Sequence, residues 1–167
     1  MICCYGEGDI VYWKLQEDHM TTDDYYWIVR NNCVPRLKAL NQGYTGQYNL
    51  NEITWTQDGA PPHRANRVIQ YLEGQFQNRI FALGTNLGHE WAPRSPEMNP
   101  WDYGFFGEIE RQVFVPPQPT TLPQLRARIT AVIGSLTPAY IRKTCDALRR
   151  RCQACVQANG GPFEHLL

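Results

Sequence analysis

The 167-residue chain has no excess of either charge: 16 Lys+Arg balance 16 Asp+Glu, and charged residues make up only 19%. With 43% hydrophobic residues, a globally disordered chain is excluded and a core-forming domain is expected. No apolar run approaches the roughly 20 residues that a membrane span requires. Met1 to Glu7 have neither the basic start nor the apolar stretch of an export leader. The expectation is therefore a nuclear or cytoplasmic protein, not secreted and without a membrane partner. Its six cysteines should then be reduced. Cys152-x-x-Cys155 lacks the second ligand pair of a structural zinc site, so Cys145 and Cys152 are assigned to core packing on the last helix. The five tryptophans, Trp13, Trp27, Trp55, Trp91 and Trp101, are likewise assigned to the core. No internal repeat is present.

The overall neutrality conceals a division. Residues 1–110 carry 8 Lys+Arg against 14 Asp+Glu, whereas residues 111–167 carry 8 against 2. An acidic front and a basic back suit a cation-attracting region followed by a polyanion-contacting one; a solvated helix surface is the competing reading.

Hydrophobic spacing divides the chain into strands followed mostly by helices. Residues 1–5 and 10–16 read as a hairpin around Gly6 to Asp9. The chain opens directly in this hairpin, so a further sheet partner upstream is expected. Thr21 or Thr22 caps a helix with Asp23 and Asp24 in its first turn; its stripe is Tyr26, Val29, Cys33, Leu37 and Leu40, and Pro35 is expected to kink or split it. Residues 41–50 read as a loop. Residues 52–57 predict a short buried strand ending at Asp58, and a helix from about His63 buries Ala65, Val68, Ile69, Leu72 and Phe76. A strand at Arg79 to Leu83 precedes an irregular stretch over 84–100. A helix from Pro100 has Phe105, Phe106, Ile109 and Val113 inward. Thr121 with Gln124 reads as a capping box, and Thr137-Pro138 starts the last helix, striped by Ile141, Cys145, Leu148, Cys152 and Val156. The expected fold class is α/β.

Two acids stand in distinctive settings. Asp58 ends a strand before the Gly59-Ala60-Pro61-Pro62 break, where open α/β sheets place functional groups. Asp102 shares the face of Phe105, Phe106, Ile109 and Val113, where an ionised carboxylate is costly unless a helix N-terminus or a metal offsets it. A turn-forming Asp58 and a helix-capping Asp102 are the structural alternatives.

The stretch Trp55-Thr56-Gln57-Asp58-Gly59-Ala60-Pro61-Pro62-His63 resembles the second-acid motif of mariner-superfamily transposases. Arg94-Ser95-Pro96-Glu97-Met98-Asn99-Pro100-Trp101-Asp102 resembles their third-acid motif, and the ending Asn159 to Leu167 is also similar. The resemblance implies a ribonuclease H-like domain, incomplete at its N-terminal strands. Residues 1–115 would be part of the catalytic domain and 116–167 its basic helical extension. It implies Asp58 and Asp102 as catalytic and metal-holding acids for two Mg²⁺ or Mn²⁺ ions, serving metal-dependent strand cleavage and transfer in DNA transposition and integration. His63 is an accessory candidate near the site. The implied partners are duplex DNA, as transposon ends and target, and a second copy in a homodimer. Arg94, Arg149, Arg150 and Arg151 are the candidates for phosphate contact.

The sequence departs from the family pattern twice. The family's first acid would lie upstream of the hairpin, and Asp9, in a turn, does not match it. The 43 residues between Asp58 and Asp102 are also more than the pattern requires. An incomplete acidic set weakens the grip on metal, so the rival expectation is a non-catalytic, domesticated or decayed nucleic-acid-binding protein that keeps the fold.

Overall fold

A parallel pairing organises the first half of the computed structural model, which describes residues 2–5, 8–15, 18–43 and 53–167. Strand β3 (Trp55–Thr56) lies parallel to β4 (Ile80–Phe81), with Trp55 opposite Ile80 and Thr56 opposite Phe81. Between them runs helix α3 (Asn66–Phe76), giving a βαβ unit. The apolar spacing predicted for α3 holds: Val68, Ile69, Leu72 and Phe76 are buried. Both strands are shorter than the predicted 52–57 and 79–83; residue 52 lies outside the described residues. His89 adds one isolated parallel bridge to Phe81. Strands β1 (Ile2–Tyr5) and β2 (Asp9–Trp13) form a separate two-stranded sheet.

The chain divides into two compact units. The first comprises Met1–Cys3 and Val11–Arg94, the second Cys4–Ile10 and Ser95–Leu167.

In the first unit, α1 (Thr22–Ile28) starts with the capping box that its sequence encodes. Thr21 Oγ1 accepts from the Asp24 amide at 3.1 Å, and Asp24 Oδ2 accepts from the Thr21 amide at 3.0 Å. Pro35 neither breaks nor ends the helical run. A widened turn at Val29–Cys33, in which the Val34 amide reaches back five residues to the Val29 carbonyl, precedes α2 (Val34–Gly43). Such a turn absorbs the donor that proline lacks and the clash that its ring brings. The extra residue also moves the inward face to Tyr25, Ile28, Val29, Cys33, Val34 and Leu37, in place of the predicted Tyr26. Residues 41–43 continue the helix instead of opening a loop; 44–50 and the side chain of Leu40 lie outside the described residues. Trp27 is 59% exposed, against its predicted place in the core.

In the second unit a short 3₁₀ turn (Pro96–Met98) leads to another widened turn, Trp101–Phe105, and then to α4 (Phe106–Val113). There the Phe106 amide bonds to the Trp101 carbonyl. The added residue corrects two expectations: Phe105, Ile109 and Val113 are buried, but Phe106 is 51% exposed and Asp102 is exposed. A regular 3.6-residue period drawn through Asp102 therefore misplaces it.

Helices α5 (Leu122–Ser135) and α6 (Pro138–Gln157) complete this unit. Thr121 caps α5 as predicted, but the Gln124 side chain reaches the Thr120 amide, one residue earlier than a capping box requires. Helix α6 buries Ile141, Thr144 and Ala154, so the predicted stripe is displaced: Cys145 and Leu148 are half-buried, and Cys152 and Val156 are exposed. The Arg128 guanidinium donates to the carbonyls of Val113 (2.8 Å), Val115 (2.6 Å) and Pro117, tying the end of α4 to α5.

The closest approach in this unit is at Gly104, where an added Cβ would stand 2.4 Å from the Thr144 methyl. Tyr103 and Tyr140 reinforce the approach: their hydroxyls donate to the Thr144 carbonyl (2.7 Å) and the Gly104 carbonyl (3.3 Å). Gly104→Ala should destabilise by about 1–3 kcal/mol, as overpacked cores do. Adding Thr144→Ser, which deletes the opposing methyl, should recover part of that loss in thermal denaturation. No recovery in the double variant would show that the contact is not what limits residue size here.

Candidate acidic site

The pairing of β3 with β4 fixes what surrounds Asp58. The Trp55 amide donates to the Arg79 carbonyl at 2.9 Å and the Gln57 amide to the Phe81 carbonyl at 3.0 Å. The two-residue strand period then sends Trp55 and Gln57 inward and Thr56 outward. Asp58, the next residue, is half-buried. Its Oδ1 accepts from the Ala60 amide at 3.0 Å, closing a local turn before the prolines.

Gln57 is the buried hub. Its Oε1 accepts from the Tyr25 hydroxyl (2.7 Å) and the Trp55 indole N–H (3.0 Å), while its Nε2 donates to the His63 carbonyl (2.8 Å). The opposite amide orientation would face an NH₂ group toward the indole donor, so the network itself fixes which end is oxygen. Sequence reasoning passed over Gln57. Its signal was the two-residue step from Trp55 onto the inward face.

His63 lies in the turn before α3, not in the helix, and its ring packs on Tyr25 with centroids 4.1 Å apart. The structure brings it to Asp58: Nδ1 and Oδ1 are 2.5 Å apart. The contact is close but poorly directed, and buried Nδ1 has no in-line acceptor. At that distance the His63 ring is the strongest influence on the Asp58 carboxyl. His63 holds the Asp58 carboxyl below the usual carboxylate range; partial burial opposes this, and the Ala60 amide adds to it. The group is thus an ionised carboxylate at neutral pH.

A second inward carboxylate serves the loop after β4. Burial pushes Glu73 up, but bonds from the Asn86 amide (2.6 Å), the Thr85 hydroxyl (2.9 Å) and the Leu87 amide (3.1 Å) hold its pKa below the ordinary value. Its Oε1 takes all three bonds from the 85–87 loop, which makes it structural.

Asp102 belongs to the second unit, exposed in the widened turn that opens α4. Its amide donates to the Asn99 carbonyl at 2.9 Å. Arg94 is exposed at φ 56°, and Arg149 and Arg150 are exposed on α6. Arg151 is engaged within its unit: it donates to the Glu97 carbonyl at 3.0 Å and covers the Tyr103 ring at 4.1 Å.

Hard, ionised carboxylate oxygens suit Mg²⁺ or Mn²⁺ in kind, and Asp58 qualifies. In number the set is short: among the described residues no group of three or more His, Cys, Asp or Glu side chains could hold a metal ion.

Fold and site together define a ribonuclease H-like domain with an acid at the end of a parallel strand. No protein-family model matches the chain. It is 23% identical over 172 residues to the transposable element Tcb1 transposase of Caenorhabditis briggsae, covering 96% of this chain and 56% of that protein. The catalytic domain of the Mos1 mariner transposase superposes with a TM-score of 0.77 at 19% identity, over 98% of this chain and 74% of that structure. The Mos1 paired-end complex with Mn superposes at 0.74 over 95% of this chain and 43% of that one. In sequence the chain is thus similar to the Tcb1 transposase, and in fold it matches the Mos1 transposase catalytic domain. It spans just over half the length of the curated relative it matches.

Two outcomes follow from the Asp58 cluster. Because the folded carboxyl loses its proton more readily than an unfolded Asp, its stabilisation is full above the ordinary carboxylate pKa of about 3.9 and is lost as pH falls through the lowered value. Urea denaturation of Asp58→Asn across acidic pH should show a flatter acid limb than the parent; matching limbs would refute the linkage. Gln57→Leu leaves the Tyr25 hydroxyl and the indole N–H without their acceptor and should cost about 1–3 kcal/mol for each group left unsatisfied.

Proposed function

We propose that this chain is the catalytic-domain portion of a mariner-superfamily transposase, acting on duplex DNA by divalent-metal-dependent strand cleavage and transfer. One observation carries the reading: in the Thr56-Gln57-Asp58-Gly59 segment, an ionised, half-exposed carboxylate follows a parallel strand, held by Ala60 and His63. Asp58 and Asp102 would hold Mg²⁺ or Mn²⁺. Bound there, such ions would polarise the phosphate and activate the attacking oxygen. The chain's own residues have distinct parts. Asp58 supplies a carboxylate that is charged at neutral pH, Gln57 and His63 fix its direction, and exposed Arg94, Arg149 and Arg150 contact phosphates without reading sequence. Arg151 braces the same helix against the turn that contains Asp102. Nuclear localisation and a homodimer belong to the same proposal.

A second reading has its own support. The described residues contain no three-donor cluster, which favours a nucleic-acid-binding protein that keeps the fold without cutting.

Nicking of supercoiled DNA with Mn²⁺ separates the two. The catalytic reading expects nicking that Asp58→Ala and Asp102→Ala each reduce by 100-fold or more, an order of magnitude in keeping with loss of an acid that holds catalytic metal. Salt-sensitive binding with no nicking, unaffected by either substitution, would favour the binding protein. In both readings, Arg149→Ala with Arg150→Ala should weaken DNA binding and flatten its salt dependence by about one unit of slope per lost phosphate contact.

A further inference from the structure

We infer that Gln57 and Tyr25 are positioning residues for the metal-holding carboxylate, acting through His63; this rests on the reading of Asp58 as a metal ligand. The chain of contacts is continuous and lies wholly within the first unit. The Tyr25 hydroxyl and the Trp55 indole fix the Gln57 oxygen, the Gln57 amide holds the His63 carbonyl, and the His63 ring is set between Tyr25 and Asp58. Gln57 and Tyr25 are buried, so water does not replace a lost partner.

The consequence is directional. His63 Nδ1 and the Ala60 amide both approach the same oxygen, Oδ1, which leaves Oδ2 of Asp58 as the one turned to other use. A carboxylate secured at one oxygen gives a cation a single, repeatable approach to the other, whereas an unsecured one rotates between its rotamers. Groups that orient a ligand in this way typically account for 10–100-fold in metal affinity. Tyr25 has two separable roles, because its ring packs on His63 while its hydroxyl serves Gln57.

The test uses the full chain in solution with Mn²⁺ alone. Electron paramagnetic resonance reads free Mn²⁺, and ¹H–¹⁵N correlation spectra read the His63 ring nitrogens without metal. Gln57→Leu should weaken Mn²⁺ binding by roughly 10–100-fold, and Tyr25→Phe, which keeps the ring, by roughly tenfold. Both should shift and broaden the His63 ring-nitrogen signals, because the ring loses its fixed seat between Tyr25 and Asp58. If Gln57→Leu does not fold, Tyr25→Phe decides on both readouts. Unchanged affinity and unchanged His63 signals, with Asp58→Ala still abolishing binding, would overturn the positioning role alone. If Asp58→Ala bound Mn²⁺ like the parent, the metal reading would fall and this inference with it, an outcome that the Asp58 variant makes recognisable.

Discussion

A buried primary amide governs the first unit. Gln57 sits where the strand period turns its side chain inward, and there it serves two buried donors and one part-buried acceptor. Each partner comes from a different part of the fold: Tyr25 from α1, Trp55 from β3 and His63 from the turn before α3. A carboxylate would repel the His63 carbonyl, and an aliphatic side chain would make none of the three bonds. This single residue therefore couples the helical run of residues 22–43 to the strand that ends in Asp58. The acid inherits its position from that coupling.

In the second unit the corresponding constraint is steric. Gly104 lets α6 approach the widened turn that contains Asp102 so closely that no side chain fits between them. Tyr103, Tyr140 and Arg151 then bond across the same approach. The extra residue in that turn brings Phe105 into the core and leaves Asp102 exposed. Exposure removes the desolvation cost that a core-facing carboxylate would carry.

The basic half of the chain separates into structural and available cations. Arg128 is spent on carbonyls at the end of α4, Arg111 on Glu108, and Arg151 on Glu97 and Tyr103. Arg149 and Arg150 lie exposed on α6, on a helix with one acid, Asp146. A count of charges along the sequence does not make this distinction, because it depends on which carbonyls each guanidinium reaches.

Local physics made much of this chain legible from sequence. The Thr21 and Thr121 caps, the apolar stripe of α3, the strand ending at Asp58 and the break that follows are set by neighbours within a few residues, so spacing and residue type suffice. The Asp58 and Asp102 segments carried the family resemblance, and the chain's similarity to Tcb1 in sequence and to Mos1 in fold accords with it. What spacing missed lies beyond such reach. The two widened turns shift the helical period by one residue, exposing Phe106 and Asp102 and burying Tyr25 in place of Tyr26. Partners 32 residues apart make Gln57 a hub, and a helix nearly forty residues downstream makes Gly104 obligatory. The sequence alone determined where elements begin and which acids to suspect, since those depend on adjacent side chains. Tertiary structure decided which side chains are buried and which oxygen of Asp58 is secured, because both depend on groups that only folding brings into contact.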